Sequence, residues 1–238
     1  MKPVAIFRHL PHEGAGYLAE FLAEREIPTR LIAIDAGDAV PVRADDFAGL
    51  VFMGGSMSVN DDLPWIPLSL ALIRDAVAKD VPVLGHCLGG QLMSKALGGQ
   101  VTRNAVKEIG WGEVEVSDNA VAKTWFGETA SFPAFHWHGE TFSLPLGATR
   151  LLSSPYCVNQ AFALGKHLAL QCHVEMTEDM IRAWYVEGGA EVRAAAGSPA
   201  VQFSEVALQQ MGGSLPKLRA VAVKLYECWV RSLKRPVN

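Results

Sequence analysis

The sequence predicts one α/β domain with a central, mostly parallel sheet flanked by helices. Short apolar runs rich in β-branched residues alternate with longer amphipathic stretches through most of the chain. Strands that are apolar on both faces are typical of a parallel sheet covered by helices on both sides. Half of the 238 residues are apolar and 19% are charged, which is enough apolar material for a large core. No Pro/Gly/Ser-rich linker divides the chain, so one domain is favoured over two.

The first half of the chain supplies the alternating elements. Strands are predicted at 4–7, 31–34, 50–53 and 81–84, and helices at 16–25, 67–79 and 88–97. In the second of these helices, Leu68, Leu72, Ile73 and Val77 have the spacing of one buried face. Two glycines at 98–99 follow the third helix and predict its C-terminal end.

The second half begins with a different pattern. Residues 112–116 alternate between polar and apolar, which predicts a half-exposed antiparallel strand. Further short strands are predicted at 149–152, 160–164 and 167–172, and a terminal amphipathic helix at 217–233. We interpret residues 1–238 as a single domain, in which residues 186–238 form a C-terminal helical extension.

Charge and cysteine content restrict the function classes. The chain has 21 basic and 25 acidic residues, a net charge of −4, which argues against a nucleic-acid partner. No apolar run approaches the roughly 18 residues of a membrane span, and Arg8 interrupts the apolar stretch where a secretion signal would begin. Four cysteines without C-x-x-C spacing predict no disulfide framework. We therefore expect a cytoplasmic protein with no membrane partner.

The most informative segment surrounds Cys87. Residues 83–91 predict a strand, a sharp turn and a helix, with glycines two positions before and two positions after the cysteine. Such a turn lifts the sulfur above the sheet at a helix N-terminus, where N–H groups favour a thiolate and can hold an oxyanion. A buried structural cysteine between packing glycines is the alternative, but the flanking strand and helix favour a nucleophile.

A cysteine nucleophile needs a base and a group that orients the base. Of the seven histidines, His173 ends an apolar run, at the edge where α/β sheets place their sites. Glu175, two residues later, can accept a hydrogen bond from its imidazole. Taken alone, however, the pattern favours a His-Glu pair in a surface loop. His86 is a rival base beside Cys87, but consecutive side chains usually diverge at such a turn. We interpret His86 as a residue that could tune the thiol.

A second pair of histidines lies in the middle of the chain. His136 and His138 are two residues apart, and no clear third ligand accompanies them in the sequence. Such a pair is a weak metal signal. We therefore expect neither a metal ion nor a cofactor.

Taken together, Cys87, His173 and Glu175 resemble the site of the class I glutamine amidotransferases. The segment 52–59, with Gly54 followed by Gly55, resembles the oxyanion loop of that family, especially the form in GMP synthase.

Two further segments match the family. Gln91 matches the glutamine that holds the α-amino-acid end of the substrate. Trp137-His138-Gly139 resembles the segment whose backbone lies beside bound glutamine. The motifs follow the family order, and the resemblance covers residues of about 4–185.

The resemblance implies a flavodoxin-like fold and a specific chemistry. Cys87 would attack the side-chain amide of glutamine, while His173, oriented by Glu175, would shuttle the proton. The backbone N–H groups of Gly55 and Leu88 would hold the tetrahedral oxyanion. Ammonia would leave, and water would hydrolyse the resulting thioester.

The chain most resembles the stand-alone, GMP-synthase-like members, with two departures near the site. Gly90 replaces a residue that is often His or Met, and Val174 stands where proline is usual. The implied function is glutamine hydrolysis, with ammonia passed to a separate synthetase, since no second core for a synthetase fits in this sequence. A stand-alone peptidase or hydrolase of γ-glutamyl compounds is the close alternative, and a non-catalytic regulatory subunit is a further one.

Overall fold

Ten strands form one sheet in the computed structural model, which describes residues 1–234. The strands are β1 (Val4–Arg8), β2 (Thr29–Ala33), β3 (Gly49–Phe52), β4 (Val83–His86), β5 (Val101–Val116), β6 (Ser131–Phe142), β7 (Thr149–Ser153), β8 (Ala161–Leu164), β9 (His167–Leu170) and β10 (Ala200–Val201). The helices are α1 (Gly16–Glu24), α2 (Trp65–Ala78), α3 (Leu88–Ala96), α4 (Ala120–Phe126), α5 (Glu178–Glu187), α6 (Gly189–Ala194) and α7 (Ser204–Arg231). Residues 235–238 of the predicted domain lie outside the described part.

The central half of the sheet is parallel. Strands β2, β1, β3, β4 and β9 lie side by side in that order, and every neighbouring pair among them is parallel. This is the flavodoxin-like strand order. Strands β8, β7 and β5 continue the sheet with antiparallel pairing, and the long strand β6 pairs with β5. The structure confirms the predicted α/β fold with a mostly parallel central sheet.

Alternate residues of the central strands pack on opposite faces of the sheet. In β3, Val51 belongs to the core that contains side chains of α1 and α7. Leu50 and Phe52 belong to the other core, with side chains of α2 and α3. Because both faces are covered, apolar residues occupy every position of the strand rather than every second one.

Helix α7 covers one face of the sheet at the C-terminal end of the described chain. Leu225 and Trp229 are fully buried, which confirms that the terminal helix packs against the domain. Burial of each such side chain contributes about 1.5–3 kcal/mol to stability. Among residues 1–234, no helix combines the length and apolar composition needed to cross a membrane.

Helix α2 differs from its prediction at its start and on its buried face. It begins at Trp65, so Pro67 lies in the first turn, where backbone N–H groups have no partner within the helix. The prediction for Leu68 was wrong, because this side chain is 55% exposed. The buried face carries Leu72 and Ile73 as predicted, with the smaller Ser69 and Ala76 and with Ile66.

The antiparallel part is larger than the sequence predicted. Strand β5 spans sixteen residues rather than the predicted 112–116, and β6 and α4 were not predicted. Polar residues dominate the early part of β5, and its register with β6 shifts between Arg103 and Glu108, so no clean alternation marks it. The segment 186–234 is also not wholly helical, since β10 pairs in parallel with β5.

Candidate active site

Cys87 lies at a strained turn between β4 and α3. Its backbone has φ 48° and ψ −106°, a conformation that non-glycine residues rarely adopt. Its N–H donates a hydrogen bond of 2.8 Å to the carbonyl oxygen of Leu170, at the end of β9. The turn therefore holds the cysteine at the carboxyl edge of the parallel strands, ahead of the first residue of α3.

Glycines make this turn possible because three backbones meet there. A Cβ on Gly85 would overlap the backbone of Gly89, and a Cβ on Gly89 would overlap the carbonyl oxygen of Phe52 in β3. A Cβ on Gly90 would lie 2.6 Å from the carbonyl oxygen of Leu170. Side chains would therefore clash at both flanking glycines, and there is no room for a larger residue at position 90.

His173 and Glu175 follow β9 and are both buried. The backbone N–H of His173 donates a 2.8 Å hydrogen bond to the carbonyl oxygen of Phe135 in β6, which fixes the loop. Its Nδ1 donates to Oε1 of Glu175 at 2.7 Å, so this tautomer leaves Nε2 for another partner. Nε2 is buried and makes no well-formed hydrogen bond within residues 1–234.

The charges of this group reinforce one another. Burial alone would lower the pKa of His173, but the Glu175 carboxylate and the neighbouring Cys87 thiol raise it well above its ordinary value. Burial opposes ionisation of Glu175, yet the nearby His86 and His173 lower its pKa to about 2. The arrangement therefore favours a charged His173 between a carboxylate and a sulfur atom.

His86 lies behind Glu175, on the side away from the pocket. Its Nε2 is 3.7 Å from Oε2 of Glu175 and forms a 3.3 Å hydrogen bond with the Tyr226 hydroxyl in α7. Burial lowers the pKa of His86, and the Glu175 carboxylate opposes this shift. The structure thus places His86 against the Glu175 carboxylate. Sequence reasoning missed Tyr226, since nothing near it in the chain points to the site.

A cavity of about 740 Å³ opens in front of Cys87. Seven of the nine predicted site residues line it: Gly55, Cys87, Gln91, Trp137, His138, Gly139 and His173. Glu175 lies behind His173, and Leu88 is the buried first residue of α3. A Cβ on Gly55 would lie 2.7 Å from Cδ2 of Leu88, so these two residues are adjacent.

Two buried glutamines lie beside the sulfur. Gln91 is predicted from the sequence, and its Nε2 donates a 3.2 Å hydrogen bond to Oε1 of Gln171. The Nε2 of Gln171 in turn lies 3.5 Å from Sγ of Cys87, to which it donates. The Trp137 carbonyl oxygen is 3.9 Å from the same sulfur. Sequence reasoning missed Gln171 as a site residue, although it lies within the strand predicted at 167–172 and directly follows β9.

The cavity wall is rich in carboxyl groups. Acidic residues at five positions line it: Glu13, Asp61, Glu140, Glu187 and Glu191. Burial raises the pKa of Glu13 to about 7. Among residues 1–234, the only lysine or arginine on the wall is Lys107, which pairs with Glu191. Such a wall is electrostatically suited to a ligand with an ammonium group.

A separate buried group could hold a metal ion. Glu108 in β5 lies directly across from His138 in β6, and His136 is two residues along the same strand. One ligand atom from each lies within 4.8 Å of the others. Sequence reasoning lacked the third ligand because Glu108 comes from a neighbouring strand whose position was not predicted.

Several known proteins share this fold. The family profile "Glutamine amidotransferase class-I" matches residues 16–186. A crystal structure of a glutamine amidotransferase from Methylobacillus flagellatus superposes with a TM-score of 0.97 at 41% identity, over 100% of this chain and 98% of that one. A glutamine amidotransferase structure from Thermotoga maritima superposes with a TM-score of 0.86 at 27% identity, over 96% of this chain and 97% of that one.

Curated relatives have more varied names. The glutamine amidotransferase-like protein YfeJ of Salmonella typhimurium is 30% identical over 180 residues, 73% of this chain and 75% of that one. Gamma-glutamyl peptidase 3 of Arabidopsis thaliana is 28% identical over 58% of each chain. The GMP synthase [glutamine-hydrolyzing] of Acinetobacter baylyi is 29% identical over 67% of this chain but only 29% of its own. By its family profile and its relatives, this chain belongs to the class I glutamine amidotransferase family.

Proposed function

We propose that the protein hydrolyses the side-chain amide of glutamine through a thioester on Cys87. His173 takes the thiol proton at Nε2, and the sulfur attacks the amide carbon to form a tetrahedral oxyanion. The backbone N–H groups of Gly55 and Leu88 hold the oxyanion. His173 then returns the proton to the nitrogen, ammonia leaves, and water hydrolyses the thioester to glutamate.

One observation carries this proposal. The imidazole of His173 is anchored at Nδ1 by Glu175 over 2.7 Å, while Nε2 has no other well-formed hydrogen bond within residues 1–234 and Cys87 borders the same cavity. This is the nucleophile, base and orienting group that acyl transfer requires. A non-catalytic regulatory subunit would have no need of such an arrangement.

Substrate binding follows from the cavity wall. Gln91 would hold the α-amino-acid end of glutamine, with the Trp137-His138-Gly139 segment beside its backbone. The carboxyl groups of the wall, Glu13 among them, would attract the α-ammonium group. No cofactor enters this chemistry.

The ammonia would pass to a separate synthetase. One relative is named as a GMP synthase that hydrolyses glutamine, and this chain matches only 29% of that protein. The remaining part of that relative has no counterpart in the match, which supports a separate synthetase here.

The cysteines of the chain support our expectation of a cytoplasmic location, because all four are unpaired thiols.

A second candidate is a γ-glutamyl peptidase, which would use the same thioester chemistry with a larger leaving amine. The size of the cavity, about 740 Å³, favours it, because volumes of this order accommodate drug-sized ligands. A relative named gamma-glutamyl peptidase 3 is consistent with this reading.

The test is an assay of the purified protein with glutamine and with a panel of γ-glutamyl peptides. Released ammonia or amine is measured, and a glutamine-like alkylating agent should add mass at Cys87. Cys87→Ala should abolish turnover, while Cys228→Ala, at a half-buried thiol of α7, should leave it unchanged. Full activity in Cys87→Ala would refute the mechanism.

The substrate panel separates the two candidates. Glutamine hydrolysis that appears only when a synthetase partner is added would support the amidotransferase. Cleavage of γ-glutamyl peptides by this chain alone would instead support the peptidase.

A further inference from the structure

We propose that Glu108, His136 and His138 form a structural binding site for a transition-metal cation of the Zn²⁺ type. The three side chains are buried beside the active-site cavity, which His138 also lines. Two imidazole nitrogens and one carboxylate oxygen are the donor set that Zn²⁺ prefers, whereas Mg²⁺ and Ca²⁺ prefer oxygen ligands alone.

The register of two long strands brings these residues together. Glu108 of β5 is paired with His138 of β6, and Gly110 is paired with His136, so the three functional side chains share one face. A Cβ on Gly112 would lie 3.0 Å from the His136 ring, so this glycine gives the imidazole its space. The site is therefore fixed by backbone pairing rather than by a flexible loop.

Backbone carbonyl groups set both histidine tautomers. Nδ1 of His138 lies 3.0 Å from the carbonyl oxygen of Glu140, and Nε2 of His136 lies 3.4 Å from that of Gly112. A carbonyl oxygen only accepts, so these two nitrogens carry the protons. The opposite nitrogens, Nε2 of His138 and Nδ1 of His136, then direct lone pairs into the cluster. Metal-binding histidines are typically oriented in this way.

Two donor atoms of the cluster already lie close together. Nε2 of His138 is only 3.1 Å from Oε2 of Glu108, and both side chains are buried. A cation bound by these two atoms would neutralise the buried carboxylate.

Gln160 is the fourth polar side chain directed at the cluster. Its Nε2 lies 2.9 Å from Oε2 of Glu108, 3.4 Å from Nδ1 of His136 and 3.5 Å from Nε2 of His138. Its Oε1 is buried and has no hydrogen-bond partner within residues 1–234. A half-turn of the amide would present this oxygen to a cation as a fourth ligand. Ser154 donates to the other oxygen of Glu108 at 2.9 Å and so orients the carboxylate.

The site would stabilise the strand beside the nucleophile. Trp137 stands between the two histidines, and its carbonyl oxygen is 3.9 Å from Sγ of Cys87. A cation held by both neighbours would fix this stretch of β6, and with it the spacing between the cavity wall and the sulfur.

The experiment measures metal content and spectra rather than activity. It uses the full chain with Cys87→Ala, because the Cys87 thiol and His173 could otherwise hold zinc themselves. The protein is stripped with a chelator, supplied with one equivalent of Zn²⁺ or Co²⁺, desalted and analysed by mass spectrometry for metals. We expect one equivalent of Zn²⁺ retained, the visible absorption of Co²⁺ bound by nitrogen and oxygen ligands, and a higher melting temperature.

Variants locate the site. Glu108→Gln and His136→Gln should each weaken Zn²⁺ binding at least about tenfold. His167→Gln, at a buried histidine of β9 outside the cluster, should bind as the parent does. Circular dichroism checks that each variant folds. The parent here is the Cys87→Ala protein. The proposal is refuted if the stripped parent, once resupplied with metal, retains no Zn²⁺ and gives no Co²⁺ spectrum. It is also refuted if Zn²⁺ binds equally to the parent and to folded Glu108→Gln.

Discussion

Replacing Glu175 by glutamine tests the charge arrangement around His173. The substitution keeps the shape of the side chain and removes its charge. His173 is buried, so without the carboxylate its pKa should fall, because burial lowers it and Glu175 is the main group that raises it. The imidazole must be protonated to deliver a proton to the leaving nitrogen, and it would then lose that proton at a lower pH than in the wild type. We expect kcat to fall at least about 100-fold, as when the orienting carboxylate of a related triad is neutralised.

The same substitution has a pH-dependent effect on stability. The pKa of Glu175 is lowered from 4.5 to about 2 in the folded protein, so its ionised form stabilises the fold above about pH 4.5. That contribution is lost as the pH falls towards 2. The difference corresponds to about 3 kcal/mol in all, of which about 2 kcal/mol disappears between pH 6 and pH 3. Glu175→Gln has no such group to protonate.

The assay compares three proteins. Urea unfolding at pH 6 and pH 3 should show the wild type losing about 2 kcal/mol more than Glu175→Gln. The pH profile of kcat should show the alkaline limb of the variant at lower pH. Glu178→Gln, at an exposed pair with Arg182 on α5, is the matched control and should resemble the wild type. The reasoning fails if the kcat of Glu175→Gln is within about threefold of the wild-type value. It also fails if the alkaline limb of the variant's pH profile is unchanged.

Three further substitutions test the packing around the site. Tyr226→Phe leaves Nε2 of His86 without its 3.3 Å hydrogen bond and should cost about 1–3 kcal/mol in urea unfolding; an unchanged midpoint would contradict this. Gly89→Ala would force a methyl group against the Phe52 carbonyl oxygen and should destabilise the fold by more than about 3 kcal/mol, so a normal melting temperature would contradict the close approach. Gly212→Ala, in an open position of α7, should raise stability by up to about 1 kcal/mol, and a loss would reveal a contact there.

The turn at Cys87 was predictable because its signals are local. Glycines at 85 and 89, an apolar run before them and a helical pattern after them describe one short stretch of backbone. The pair His173 and Glu175 also stands at the end of an apolar run, but that pattern alone favoured a surface pair, and only the resemblance to the family singled these residues out. The structure brings these distant segments together because parallel strands present their carboxyl ends at one edge.

The parts that sequence reasoning missed depend on contacts between distant strands and helices. Tyr226 meets His86 across 140 positions of sequence, and no local pattern distinguishes it from other buried residues of α7. Nothing in the sequence around Glu108 distinguishes it from other charged residues, because its place beside the two histidines depends on the pairing of β5 with β6. In α2, Leu68 is apolar yet exposed, because helix packing rather than residue type decides which face is buried.

Helix α7 lies beyond the segment 16–186 that the family profile matches, yet its Tyr226 is 3.3 Å from Nε2 of His86, which in turn faces Glu175. The boundary of the shared family segment is therefore not the boundary of the folding unit. A chain shortened to residue 186 would uncover the sheet face that Leu225 and Trp229 protect, and we expect it to aggregate rather than work as a minimal enzyme. A chimaera that exchanges the segment 16–186 between two relatives would therefore need to exchange α7 as well.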